Sequence, residues 1–150
     1  PTNILYYRDG VSTGQFEEVL TELEQIRKAY IGLDGNRFQL KLIALFVVKR
    51  HLTCVYSTPR PNGKVQNCQP GTLVDSVITS PLYSDFYLQS HHALDGTAIP
   101  THYFVLESKM DLSLPELQNL TYQLCHTYVR STAGVSYAPP AYYADRLCER

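Results

Sequence analysis

The chain has 150 residues, 44% of them apolar and 18% charged, which suits one folded domain with a buried core and excludes a disordered or fibrous chain. Its longest apolar run, Leu42–Val48, is far short of the roughly twenty residues a bilayer-spanning helix needs, and no basic start followed by an apolar run marks a secretion signal. Lys and Arg total 13 against 14 Asp and Glu, for a net charge of −1, so the average composition argues against nonspecific binding to nucleic acid or acidic membranes.

In chain order, Asn3–Tyr7 joins β-favouring and aromatic residues without a breaker before Gly10, which predicts a strand. Ser12 followed by Gln15 forms a capping-box pattern. Phe16, Val19, Leu20, Leu23, Ile26 and Tyr30 then recur at helical spacing, predicting a helix to about Ile31 that stops at Gly32 with its acidic cluster outward. Leu40–Val48 reads as a strand buried on both faces. Strand, helix, strand implies a crossover in a partly parallel sheet, hence an α/β fold. Thr53–Ser57, Asp85–Gln89 and Thr101–Glu107 read as further strands. Ser113 and Glu116 make a second capping box with Pro115 in the first turn. Leu117, Leu120, Leu124 and Tyr128 extend it into a helix expected to end near Arg130, before Gly134. Ala141–Arg150, after Pro139 and Pro140, begins another helix.

Charge is unevenly distributed along this frame. Glu17, Glu18, Glu22 and Glu24 crowd one segment, whereas between Asp34 and Asp75 the charges are Arg37, Lys41, Lys49, Arg50, Arg60 and Lys64, with Arg130, Arg146 and Arg150 near the end. A solvated face and a track for phosphates both account for that clustering. Cys54, Cys68, Cys125 and Cys148 form no CxxC pair and have no close His at zinc spacing. Free thiols in an intracellular protein are expected. A chain opening at Pro1 without an initiating Met is expected to be part of something longer.

Asp9 is the most informative residue for chemistry. It closes a buried strand just before Gly10 and a helix entrance, the edge where open α/β sheets place ligands. A carboxylate there suits a divalent metal such as Mg²⁺, although an Asp after a strand is more often a turn residue or helix cap. Asp75, Asp85 and Asp145 are further candidates by residue type, and His91 with His92 suits phosphate, metal or plain packing. No GxSxG, HExxH or Walker loop is present, and Cys125 and His126 point to different helix faces, so a hydrolase nucleophile is unsupported.

Longer words of the sequence carry more. Tyr7 to Ser12 (YRDGVS) with Gly14-Gln15-Phe16 resembles the signature of the PIWI domain of Argonaute proteins. Lys49-Arg50-His51, Pro70 to Thr72, Asp85 to Leu88, Ser90-His91, Gly96-Thr97, His102-Tyr103, Leu120 to Arg130 and Pro140 to Ala144 continue it in the family's order across essentially the whole chain. The Val-Ser wording after Arg-Asp-Gly looks more like the Argonaute branch than the germline Piwi branch.

The resemblance implies an RNase-H-like mixed sheet with flanking helices, the C-terminal portion of a PIWI domain over residues 1–150. It also implies small-RNA-guided silencing, in which active members bind a guide RNA and cut the paired target RNA. By the family's motif Asp9 and Asp145 are the third and fourth catalytic and metal-binding residues. The first catalytic strand with its Asp, a Glu-bearing loop and the family's extreme C-terminus are expected outside this chain. Alone, therefore, the chain is expected to be catalytically incomplete. The implied cofactor is Mg²⁺ in a two-metal site, and Asp145, where many relatives carry His, keeps an oxygen donor. Lys49, Arg50, His91, Tyr128, Arg130, Ser136, Tyr142 and Arg150 match positions that resemble guide-binding contacts. Leu52, Cys54, Ile99 and Ala133 depart from the His or Arg of animal relatives, while Gly134 and Val135 offer backbone N–H groups. Implied partners are a guide RNA, a complementary target RNA, the remainder of the same Argonaute protein and tryptophan-bearing silencing proteins, with no membrane. The implied location is cytoplasmic, with the nucleus second. The alternative reading is a noncleaving guide-binding protein that silences through recruited partners.

Overall fold

The computed structural model describes residues 2–10, 13–35, 39–58, 63 and 65–149. Strands β1 (Asn3–Asp9), β2 (Lys41–Val48), β3 (Thr72–Val74), β4 (Ser84–Gln89) and β5 (Thr101–Ser108) form one sheet in the order β1-β2-β5-β4-β3. Helices α1 (Phe16–Asp34), α2 (Leu114–Leu124) and α3 (Pro139–Cys148) flank it. β1 and β2 pair in parallel, as the crossover through α1 requires, and the other ladders are antiparallel.

β2 is the buried spine. Its residues from Leu42 to Val47 are each at most 1% exposed, and burying each Leu, Ile, Val or Phe stabilises the fold by about 1.5–3 kcal/mol. Leu42, Ala44 and Phe46 face Val19 and Leu23 of α1. Ile43, Leu45 and Val47 face the opposite core with Tyr103, Leu117, Tyr137 and Ala141. Arg8 and the Tyr6 hydroxyl both bind the Glu22 carboxylate, fastening β1 to α1. Glu22 is thus the inward member of an acidic group whose Glu17, Glu18 and Glu24 are exposed.

Several boundaries differ from expectation. α1 passes through Gly32 and ends at Gly35, which takes φ 59° and donates its N–H to the Ile31 carbonyl at 2.9 Å. An exposed glycine inside a helix costs only about 1 kcal/mol, whereas a left-handed cap favours glycine. Ser12 of the first expected capping box lies outside the described residues. Gln15 is the N-cap, preceded by a 3-10 turn over Thr13–Gln15 and making no side-chain cap bond. The second box forms, with Glu116 accepting from the Ser113 backbone N–H at 2.8 Å. Thr53–Ser57 is not a strand, because the chain has left the sheet after Val48. It keeps one isolated bridge, Tyr56 to Asn67. α2 ends at Leu124 rather than near Arg130. The Thr127 hydroxyl and N–H both donate to the Leu124 carbonyl, at 2.8 and 2.9 Å, diverting it from a continuing helix.

Candidate functional site

Alternation along β1 puts Leu5, Tyr7 and Asp9 on one sheet face, the face against which α3 packs. Tyr7 is anchored below by a 2.8 Å hydrogen bond between its hydroxyl and that of Thr121. Burial pushes its phenol up to about 12. Gly10, with φ 77°, turns the chain directly after Asp9 and donates its N–H to Asp9 Oδ1 at 2.6 Å, orienting the carboxylate.

Pro139 and Pro140 begin α3, where absent N–H groups do no harm, and Ala141 lets the helix settle at 2% exposure. Its next turn carries Asp145. The result is a cleft of about 840 Å³ lined by Asp9, Gly10, Lys49, Arg50, Asp145 and Cys148, among others. Asp9 and Asp145 therefore line one cleft, and burial, then Tyr142, then the two carboxylates raise the Tyr137 phenol well above its ordinary value. Their hard oxygen donors fit Mg²⁺ in kind. Among the described residues no three His, Cys, Asp or Glu side chains converge as a metal cluster. Asp85 and Asp75 are occupied elsewhere, Asp85 by His102 and the Ser80 N–H and Asp75 by Gln118.

Lys49 joins this cleft to a second hollow of about 380 Å³, where it meets His91, His92, Thr101 and Ser136. Its ammonium stands 3.9 Å over the Tyr137 ring and 5.8 Å from that of Tyr142. Tyr137 stacks on Tyr142 at 3.7 Å, and Tyr142 on Tyr128 at 5.1 Å. The Ser136 and Tyr142 hydroxyls are 2.8 Å apart. His91 is held below the usual imidazole range by burial and then by the charge of His92.

The structure thus brings Lys49, Ser136, Tyr128 and Tyr142 into one cluster, with His91 lining the adjoining hollow and Arg50 the cleft of Asp9 and Asp145. Arg130 is exposed in a turn beyond α2, and neither hollow includes it. Arg150 lies outside the described residues. Leu52 is 98% exposed, and Ile99 lines the smaller hollow together with Lys49. Tyr137 and Arg146 were not singled out by motif. Tyr137 carries Lys49, and Arg146 bonds Tyr128 and Glu149. Adjacency in the chain, to Ser136 for Tyr137 and to Asp145 for Arg146, is the available signal.

Residues 1–150 match the Piwi domain family. Among solved structures, the C-terminal lobe of a budding yeast Argonaute is similar with a TM-score of 0.87 and 36% identity, covering 99% of this chain and 32% of that one. Kluyveromyces polysporus Argonaute with a guide RNA gives 0.82 and 36% over 99% of this chain and 19% of the other. Drosophila Piwi gives 0.78 and 33% over 98% and 20%. The chain therefore spans a third or less of these relatives, and the mixed sheet with flanking helices is the fold they share with it.

Proposed function

Since the chain belongs to the Piwi domain family, we propose that it forms part of a small-RNA-guided silencing protein, holding the guide backbone and contributing two carboxylates to cleavage of the paired target RNA. The observation supporting this is the continuity at Lys49 between the Asp9 and Asp145 cleft and the hollow of His91 and Ser136. A nucleic-acid strand lying across Lys49 reaches both. Lys49 and Arg50 neutralise phosphate charge, while the Ser136, Tyr128 and Tyr142 hydroxyls hold register without reading bases. That the strand is a guide is supported by a relative of 36% identity, Kluyveromyces polysporus Argonaute, having been solved with a guide RNA.

Asp9 and Asp145 would hold Mg²⁺, whose chemistry when bound is to polarise the scissile phosphate and stabilise charge on the attacking and leaving oxygens. The chain's own part is to fix the two carboxylates through the Gly10 N–H and the seating of α3, so that donors are in place before the target arrives.

The test uses the intact protein with guide, paired target and Mg²⁺. Asp9→Ala is expected to slow cleavage by more than about 100-fold, as loss of several kcal/mol of charge stabilisation predicts, with guide affinity within about twofold of the parent. Parallel loss of guide affinity would make Asp9 structural. A parent protein that holds guides yet cuts no paired target would favour silencing through recruited, tryptophan-bearing proteins.

A further inference from the structure

β2 leaves the sheet at Val48, whose ladder partner is His102, and the residues that follow it, Lys49 and Arg50, have no strand neighbour. An imidazole ties that stretch down. His51 Nε2 lies 2.9 Å from the Pro100 carbonyl, and the Thr53 N–H donates to His51 Nδ1 at 3.2 Å. A carbonyl only accepts and a backbone N–H only donates, so these two partners require the neutral ring with its proton on Nε2.

The ring stands on a rigid floor. It meets Tyr87 edge-on at 5.5 Å and His102 at 6.1 Å. Those two are stacked on each other at 3.9 Å, and His102 Nε2 is 2.5 Å from the buried Asp85 carboxylate. Pro100 leads into Thr101, whose hydroxyl donates to the Ser136 carbonyl at 2.5 Å. Ser136 precedes Tyr137, the ring on which Lys49 rests. Contacts therefore run from Lys49 through Tyr137, Ser136, Thr101 and Pro100 back to His51.

We infer that His51 is a positioning residue for phosphate binding, locking the Lys49 and Arg50 segment against Ser136 and Tyr137 so that a guide-RNA backbone meets a prearranged set of donors. The inference rests on Lys49 being a guide contact. Its physical basis is entropic: a segment with no ladder must be ordered when the strand binds, at a cost in affinity, unless the free protein has already ordered it.

The experiment follows release of labelled guide RNAs of unrelated sequence from the intact protein, with thermal melting alongside. His51→Ala is expected to speed release about fivefold for every guide, the worth of one ordinary hydrogen bond. That effect should shrink in a Lys49→Ala background, because the two residues act as one unit. His51→Asn keeps an acceptor for the Thr53 N–H, and His51→Gln keeps a donor for the Pro100 carbonyl. Each is expected to restore part of the slow release, and both carry the test if the alanine variant does not fold. Strictly additive effects of His51 and Lys49, or His51 variants that melt earlier yet release guide at the parent rate, would overturn the inference while leaving Lys49 a contact. An unchanged release rate in Lys49→Ala would instead overturn the reading of Lys49 itself.

Discussion

The Lys49 ammonium lies 3.9 Å from the centroid of the Tyr137 ring, and Tyr137 is 1% exposed. A mobile surface cation thereby rests on a core aromatic, which fixes where its charge meets solvent. Contacts of this kind contribute about 0.5–2 kcal/mol. Tyr137→Leu removes the ring and its stack on Tyr142. It is expected to weaken guide binding by the corresponding factor, roughly 2- to 30-fold, and to lower the melting temperature. Tyr137→Phe keeps the ring face and should preserve guide affinity. Guide titrations of both variants decide it, and a leucine variant that binds like the parent would detach Lys49 from the guide.

Gly134 is required by space rather than by backbone angle. A Cβ there would sit 2.6 Å from the Ser90 carbonyl oxygen and 2.7 Å from His126 Cε1. The imidazole can swing aside. Ser90 cannot, because its hydroxyl donates to the Val135 carbonyl at 2.6 Å while the Val135 N–H binds the Cys125 carbonyl at 2.9 Å. Gly134→Ala is expected to cost about 1–3 kcal/mol of stability as an overpacking change. Guide affinity should fall with it, since the shift reaches His91 on one side and Ser136 on the other. Adding His126→Ala should not restore the melting temperature. Full recovery in that double variant would place the obstruction at the imidazole.

What could be read from the sequence follows from the range of each signal. The continuous apolar run of β2 and the three- and four-residue spacing of α1 are local patterns, and both elements form, α1 running past its expected stop at Gly32 to the Gly35 cap. The spacing from Leu117 continues through Tyr128 and predicts it on α2, which ends at Leu124. Periodicity does not register Thr127 capturing the Leu124 carbonyl. β3 is only three residues long, too short for alternation to show. Asp9 stood out by its place after a strand, but its partnership with Asp145 came from family wording, since no spacing rule joins the first strand to the last helix. His51 belongs to the family word Lys49-Arg50-His51, but its tie to the Pro100 carbonyl, 49 residues away, leaves no local pattern.

Two imidazoles make stability sensitive to pH. His102 is pulled below its ordinary value of 6.5 by burial, against the opposing pull of the Asp85 carboxylate, and His91 is lowered by burial and the charge of His92. The unfolded chain therefore binds more protons than the folded one just below pH 6.5, so stability rises with pH there. The contribution is complete above about 6.5 and is lost as pH falls from there through the folded values. The carboxylates Glu22 and Glu107, held below 4.5, lose their share only in more acid solution. Melting temperature should fall between about pH 7 and 5.5. His102→Gln should melt lower at neutral pH but with a shallower slope, and an unchanged slope would remove His102 from the account.

Arg130 presents the sharpest separation between fold and binding. It is exposed in the turn after α2 rather than in the last turn of that helix, so attraction to the helix's negative end, which fades within one turn, does not explain its position. If its guanidinium meets a phosphate, Arg130→Ala in the intact protein should weaken binding about equally for guides of any sequence. The slope of log affinity against log salt should then become shallower by roughly 0.7 for a single-stranded guide. Stability should stay within about 0.5 kcal/mol of the parent, as for an exposed surface change. Affinity measured at several salt concentrations, beside a melting curve, distinguishes the outcomes. A sequence-dependent loss would make Arg130 a base reader, and an unchanged slope with a lowered melting temperature would assign it to the fold.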